Sequence, residues 1–131
     1  MSEGKGLFFS GDSHEWPIIL SSDRQADSIK LDLLVPAETH WFKGHFDNQP
    51  IFPGVAQVFW AESFARGEFD IPEGGYQIKS LKFINMLLPD TKVTLSIESF
   101  PQKASWKFKY HAGEIIFSSG TITADPRVGS D

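Results

Sequence analysis

The sequence predicts an α+β domain in which a curved antiparallel sheet wraps one long central helix. Two observations lead to this prediction. Residues 53–69 read as a helix that is apolar on nearly every side, and residues 76–123 contain four segments in which apolar and polar residues alternate. A flat sheet cannot bury every side of one helix. We therefore expect the sheet to curl around the helix, or a second subunit to cover its exposed side.

Length and composition indicate one soluble domain. The chain has 131 residues, of which 40% are hydrophobic and 22% are charged, and its net charge is −5. Twelve Phe and four Trp predict a large aromatic core or an apolar ligand cavity. The acidic balance argues against a nucleic-acid partner, and the lack of cysteine excludes disulfides. The sequence has the pattern of neither a signal peptide nor a membrane span, so we expect a cytoplasmic location.

The chain divides into three segments. Residues 1–27 are expected to be a loosely structured N-terminal lead-in with at most one short strand or helical turn. Residues 28–123 are expected to form the domain, and residues 124–131 a frayed C-terminal tail. Within the domain, residues 28–35 alternate as a half-buried strand does, and residues 36–52 have the composition of a long loop.

The helix is expected to run from Pro53 to about Phe69. Proline suits the first helical position because its missing N–H would have no partner there. Between Val55 and Ala65 the only ionisable residue is Glu62. The four strands after the helix are predicted at residues 76–84, 92–100, 104–111 and 114–123. Short turn signals separate these strands, so we expect neighbours in sequence to pair in antiparallel orientation.

A histidine-containing motif precedes the helix. The stretch "GHFDNQPIFPGV" at residues 44–55 places His45 nine residues before Gly54. This motif resembles the signature of the hot-dog-fold 3-hydroxyacyl-thioester dehydratases of the FabA/FabZ type, and the matching residues are Gly44, His45, Phe46, Pro50, Pro53 and Gly54. The stretches "WFKGHF", "PGVAQV", "WA" and "SSG" are similar to the small dehydratases of aryl-polyene-type lipid pathways.

The resemblance implies a fold, an assembly and a reaction. The implied fold is the hot-dog fold, a long central helix wrapped by a curved antiparallel sheet. Proteins of the resembled family work as dimers, and their active site lies between the two subunits. The implied reaction removes water from a 3-hydroxyacyl thioester to give a trans-2-enoyl thioester in fatty-acid or polyene-type lipid synthesis. The substrate would be carried by acyl carrier protein or CoA, with no metal and no cofactor. The partner would be a second copy or a homologue.

The residues of the motif suit this chemistry. A base must remove the weakly acidic α-proton of the thioester, and His45 can act as that base near neutral pH. The amides at Gly54 and Val55 begin a helix, where they could donate hydrogen bonds to a developing oxyanion. From the resemblance we also expect the acyl thioester to contact Gly54, Val55, Phe46, Pro53 and Phe59.

One position departs from the family's pattern. The family places a Glu or Asp fourteen residues after the histidine, and this chain has Phe59 there. Glu62 lies one helical turn further along and could act as the second catalytic group, or it could simply pair with Arg66 at i+4. Asp47 is a second candidate carboxylate, or an ordinary turn residue.

Three functions stay open from the sequence. The first is an enzyme, a dehydratase with an altered acid. The second is a catalytically impaired subunit that binds an acyl thioester beside an active homologue. The third is a hot-dog thioesterase, in which Glu62 would activate water. An acidic carrier protein or a CoA phosphate would need cations to dock against, and the available ones are Lys43, Arg66, Lys79, Lys82, Lys107 and Lys109.

Overall fold

The computed structural model describes residues 16–37, 52–69 and 75–125. These residues form one α-helix and six strands. A short 3₁₀ turn, Pro101–Lys103, precedes the fifth strand. The elements are β1 (Ile18–Arg24), β2 (Ser28–Val35), α1 (Gly54–Glu68), β3 (Gly75–Phe83), β4 (Thr91–Phe100), β5 (Ser105–Ala112) and β6 (Ile115–Asp125).

All six strands belong to one antiparallel sheet with the order β1-β2-β4-β5-β6-β3. The predicted α+β class, with one long helix against an antiparallel sheet, is confirmed. Each strand predicted from alternation corresponds to an observed strand, and its two ends agree with the observed ends to within two residues. The segment expected to be a lead-in contains β1, which pairs with β2 at the edge of the sheet.

The predicted pairing of sequence neighbours is wrong for β3 and β4. β3 pairs with β6, and β4 pairs with β2, so the two strands lie far apart in the sheet. The connecting residues cross the end of the sheet instead of making a tight turn. The amide of Ile84 donates to Phe117 at the start of β6, and the amide of Asp90 donates to Val35 at the end of β2. Leu87, midway along the crossing, is fully buried.

The inner face of the sheet forms the core. Alternate residues of the central strands point inward, as strand geometry requires, and pack against the large aromatic residues of α1 and against Phe52, which precedes the N-cap. The buried sheet residues include Ile29, Leu31, Leu33, Val93, Leu95, Ile97, Phe108 and Tyr110, and the aromatic residues that they enclose are Phe52, Trp60 and Phe64.

The sheet buries one side of the helix and leaves the other open. The buried helical residues are Ala56, Gln57, Trp60, Ala61, Phe64 and Ala65. On the opposite side, Val55 is 68% exposed and Phe59 is 37% exposed. Large apolar side chains at the end of β3 and in the crossing segment are also exposed. We call this surface the apolar edge, and it comprises Val55, Phe59, Phe83, Ile84, Met86 and Leu88.

The described part of the chain has no helix that combines the length and apolar character needed to cross a membrane.

Candidate functional site

The start of α1 presents two backbone amides that the helix itself does not use. Pro53 is the N-cap, and its carbonyl accepts from the amides of Ala56 (3.1 Å) and Gln57 (3.2 Å). The amides of Gly54 and Val55 come before these first intrahelical bonds. They also lie at the positive end of the helix dipole. We call Pro53–Gly54–Val55 the helix mouth, and it can donate hydrogen bonds to a carbonyl oxygen that gains negative charge.

The glycine at the helix mouth is required by a close contact. A Cβ atom on Gly54 would lie 2.6 Å from Cζ of Phe83, much nearer than a carbon–carbon contact allows. The Phe83 ring therefore forms one wall of the helix mouth, and it is 52% exposed. Phe83 belongs to the apolar edge, so the mouth opens beside the surface that the single chain leaves uncovered.

A buried glutamine fixes the position of the helix mouth. Gln57 is only 3% exposed, and both ends of its side chain are used. Its Nε2 donates to the carbonyl of Phe52 (3.2 Å), and its Oε1 accepts from Oγ of Ser118 (2.6 Å). Since Ser118 lies on β6, one side chain ties the residue before the helix to the sheet. A buried amide without these partners would be costly, so the network strongly favours one geometry.

Two further hydrogen bonds complete this network. The hydroxyl of Tyr110 on β5 donates to the backbone carbonyl of Gln57 (2.7 Å). Burial raises the pKa of Tyr110 well above its ordinary value, so the hydroxyl keeps the proton that it donates. The amide of Phe52 donates to the carbonyl of Leu87 in the crossing segment (2.7 Å). The first turn of α1 is thus held by β5, β6 and the crossing segment together.

Phe59 lies on the exposed side of α1, two helical residues beyond the network. Its ring packs against Trp16, with ring centroids 5.4 Å apart, and Trp16 also meets Phe64 edge-on at 6.4 Å. The position at which the resembled family carries its acid is therefore occupied by an aromatic contact with the segment before β1. No proton donor is present in the Phe59 side chain.

Glu62 lies one turn after Phe59 and pairs with Arg66. The Arg66 Nε donates to the Glu62 carboxylate, and the guanidinium also lies 5.6 Å from the ring centroid of Tyr76. This is the i,i+4 pair that the sequence offered as one alternative for Glu62. To handle a leaving hydroxyl, Glu62 would have to use its second oxygen or release Arg66.

The structure brings some of the candidate residues together and leaves others out. Pro53, Gly54 and Val55 form the helix mouth, whereas Phe59 and Glu62 lie further along the exposed side of α1. His45, Phe46 and Asp47 lie outside the described residues. Gln57 was not among the site residues expected from the sequence. Its signal was a polar residue within an otherwise apolar helical turn, but its partners Ser118 and Tyr110 are distant in sequence.

One long helix against a six-stranded antiparallel sheet is the arrangement of the hot-dog fold. A profile of the ApeI-like family, described as ApeI dehydratase, matches residues 21–121. The chain belongs to this ApeI-like dehydratase family. The resemblance read from residues 44–55 is thereby confirmed, including the aryl-polyene-type branch. No curated protein matches the chain.

Solved structures share the fold of this chain, and the first of those described next is a dehydratase heterocomplex. The dehydratase heterocomplex ApeI:P from Xenorhabdus doucetiae contains a chain that is 28% identical to this one, with a TM-score of 0.77 over 82% of this chain and 96% of that chain. An uncharacterised protein from Erwinia carotovora subsp. atroseptica is 30% identical, with a TM-score of 0.71 over 86% of this chain and 98% of that one. The dehydratase domain from the CurF module of curacin polyketide synthase shares the fold at 18% identity, with a TM-score of 0.62 over 84% of this chain and 44% of that one.

The Gln57 network gives a pH-dependent prediction. In Gln57→Glu, an ionised carboxylate would face the carbonyl of Phe52, whereas a protonated one could donate to it as the amide does. The folded-state pKa of this glutamate should therefore be raised, so the variant is most stable below the ordinary glutamate pKa and loses stability as pH rises through the raised value. Urea unfolding between pH 4 and pH 8, compared with the wild type at each pH, measures this loss.

Gln57→Leu provides the comparison. It removes the hydrogen bonds that Gln57 makes with the Ser118 hydroxyl and the Phe52 carbonyl at every pH, and losing the acceptor of the buried Ser118 hydroxyl should cost about 1–3 kcal/mol. The loss relative to the wild type should not depend on pH. Gln102 is exposed in the 3₁₀ turn, so Gln102→Glu and Gln102→Leu are matched controls that should change stability little. A Gln57→Glu variant as stable as the wild type at pH 8 would contradict the network.

Proposed function

We propose that this chain catalyses the dehydration of a 3-hydroxyacyl thioester, carried on acyl carrier protein or CoA, to a trans-2-enoyl thioester. The observation that carries this proposal is the helix mouth, which presents two amides at a dehydratase-family motif and is fixed by the Gln57 network. Membership of the ApeI-like dehydratase family supports the reaction class.

The proposed mechanism divides the work between a base and the helix mouth. His45 takes the α-proton of the thioester, and the electrons of the broken C–H bond form the new carbon–carbon double bond. The amides of Gly54 and Val55 hold the thioester oxygen while it carries negative charge. The bond from C3 to the hydroxyl breaks, and the hydroxyl leaves as water after it receives a proton. Pro53, Phe46 and Phe59 contact the acyl thioester in this proposal.

The leaving hydroxyl needs a proton from a group other than Phe59. Glu62 is the nearest carboxylate along the same side of α1, and we assign this role to it. In the structure its carboxylate pairs with Arg66, so in this proposal Glu62 takes up a proton and gives up that pair before it donates the proton to the hydroxyl. A second subunit packed on the apolar edge would shield this side from water and strengthen electrostatic interactions there.

A catalytically impaired partner subunit is the second candidate function, and two observations favour it. The aromatic contact between Phe59 and Trp16 occupies the position of the family's acid. The structure of the Xenorhabdus doucetiae dehydratase is a heterocomplex. In this second function the chain would still bind the acyl thioester at the helix mouth, but an active homologue would carry out the dehydration.

The apolar edge supports assembly with a second copy. β3 is an edge strand, and exposed apolar side chains cluster beside it. Monomeric soluble proteins rarely expose large apolar patches, and an uncovered edge strand is a site for pairing with another chain. We propose a homodimer in which the two β3 strands lie side by side and the two helices face each other across the apolar edges. Pairing of this kind would cover Val55 and Phe59 and close the proposed site.

The catalytic assignment predicts the activity of three variants. His45→Ala should lower the dehydration rate, or the rate of the reverse hydration, by roughly 10²–10⁴-fold, the usual effect of losing a positioned base. Glu62→Gln should cost a similar factor while the protein stays folded. Formation or loss of the enoyl thioester, followed by its ultraviolet absorbance, measures both. His40→Ala, which removes another histidine of the same predicted loop, should keep wild-type activity.

The same assay separates the two candidate functions. An inactive wild type that gains activity in Phe59→Glu would identify the impaired partner subunit. Phe59 is part-exposed, so the new carboxylate has a limited desolvation cost, but circular dichroism must first show that the variant folds. Full activity in His45→Ala would disprove the mechanism proposed above.

The homodimer can be tested with a matched pair of substitutions. Ile84 lies in the apolar edge and is 54% exposed, while Ile115 lies at the β5–β6 hairpin and is 55% exposed. In sedimentation velocity at micromolar concentration, we expect the wild type and Ile115→Lys to be dimers and Ile84→Lys to be a monomer, because a charge would be buried between subunits. A monomeric wild type would contradict the proposed assembly.

A further inference from the structure

The outer face of the sheet carries a straight row of lysine and serine residues. Strand pairing places Lys30 opposite Ser96, Ser96 opposite Lys109, Lys109 opposite Ser119, and Ser119 opposite Lys82. The three lysines are exposed and the two serines between them are half-buried. The row therefore crosses five strands, from β2 to β3, with a cation at each end and one in the middle. We call it the lysine row.

The lysine row lies in a groove. The groove has a volume of about 690 Å³, and its lining residues include all five members of the row. The adjacent row adds Ser28, Glu98, Lys107 and Thr121 to the lining. Four lysines and one carboxylate thus line a groove whose floor is rich in hydroxyl groups. Such a surface attracts anions and offers them hydrogen bonds.

The charge of this face is opposite to that of the whole chain. The chain has a net charge of −5, yet cations predominate in the groove. Two ion pairs are found within the described ranges, Arg24–Glu68 and Arg66–Glu62. Neither pair neutralises Lys82 or Lys109. Lys30 faces Asp23 across β1–β2, whereas Lys109 and Lys82 both face the uncharged Ser119. Lys109 and Lys30 also act on His111, whose pKa is lowered mainly by burial and further by these two charges.

We propose that the lysine row docks an acidic α-helix of the carrier protein that delivers the acyl thioester. This inference rests on the proposed function for the identity of the carrier. Adjacent strands lie about 4.8 Å apart, so lysines two strands apart are roughly 10 Å apart. Two turns of an α-helix rise about 11 Å. A helix with an acidic residue at every second turn would therefore place one carboxylate near each lysine of the row.

The shape of the surface favours a helix over other polyanions. An α-helix with its side chains is about 10 Å across and can enter a groove, where its carboxylates can also reach Ser96 and Ser119. A membrane surface is flat and would meet only the lysine tips. Extended nucleic acid would be repelled by the rest of an acidic chain.

The row also ends close to the proposed site. Lys82 is followed in sequence by Phe83, whose ring lies against Gly54 at the helix mouth. Successive residues of a strand point to opposite faces of the sheet. Lys82 therefore lines the outer groove, and Phe83 lies at the helix mouth. A carrier helix on the row would thus hold its acyl group near the edge where the helix mouth opens.

Binding of apo acyl carrier protein, which lacks the pantetheine arm, tests the row without the active site. At low salt, Lys82→Glu combined with Lys109→Glu should weaken binding to the full-length protein by about tenfold, because each exposed ion pair contributes up to about 1 kcal/mol. Lys103 is exposed in the 3₁₀ turn outside the groove, and Lys103→Glu combined with Lys92→Glu makes the same change in net charge. This control pair should bind the carrier nearly as the wild type does. Binding to the wild type should weaken as salt increases.

Several outcomes would overturn the proposal. One is equal weakening by the two pairs of substitutions, which would show a general charge effect. Another is unchanged binding in the Lys82 and Lys109 double variant. A third is row-dependent binding of duplex DNA or anionic vesicles that is tighter than binding of the carrier. Turnover of a carrier-free pantetheine thioester by the wild type tests the proposed function separately, so failure of the row and failure of the enzyme are distinguishable. Circular dichroism establishes that each variant is folded.

Discussion

The buried carboxamide of Gln57 is the constraint on which the rest of the site depends. Sheet, helix and crossing segment meet at the first turn of α1, where apolar packing alone would allow the helix to slide or rotate. The hydrogen bonds from Gln57 to Phe52 and from Ser118 to Gln57 allow one arrangement, because any other leaves buried polar groups unpaired. The amides of Gly54 and Val55 therefore have a fixed direction, as preorganised donors require.

A second consequence concerns the side of the helix that faces away from this network. The sheet covers Trp60 and Phe64 completely, but Val55 and Phe59 stay exposed on the opposite side. The apolar residues around β3 extend that surface. This surface includes Phe59 and Val55 of the helix mouth, and the Glu62–Arg66 pair lies one helical turn beyond Phe59. The proposed homodimer would therefore both complete the helix packing and enclose the proposed chemistry. Docking of a carrier on the outer face would leave this interface free.

Much of the fold could be predicted from the sequence because its signals are local. The alternation at residues 28–35 and in the later strands records which face is buried, and the apolar run after Pro53 records the helix. The pairing of β3 with β6 could not be read in this way, because the length of a connection does not specify whether the chain turns back or crosses the sheet. The burial of Leu87 was the relevant signal, and a single leucine in a short connection is not distinctive.

The candidate site also has a part that local sequence signals predict and a part that depends on residues distant in sequence. The motif around His45 and Gly54 identified the dehydratase family, since the types and spacing of its residues are specific. The role of Gln57 was not predictable, because its partners Ser118 and Tyr110 lie 61 and 53 residues away in the chain. The catalytic roles of His45 and Glu62 stay predictions. Sequence offered two readings of Glu62, and the observed pair with Arg66 is compatible with both.

The central claim is that the helix mouth binds the thioester oxygen through the amides of Gly54 and Val55. Backbone ¹⁵N–¹H NMR of the protein, titrated with a non-hydrolysable acyl-pantetheine analogue that keeps the carbonyl, measures this directly. We predict downfield proton shifts at Gly54 and Val55 that are larger than those at any outer-face residue, because both amides gain a hydrogen bond. Saturable binding with unchanged Gly54 and Val55 resonances would contradict the claim.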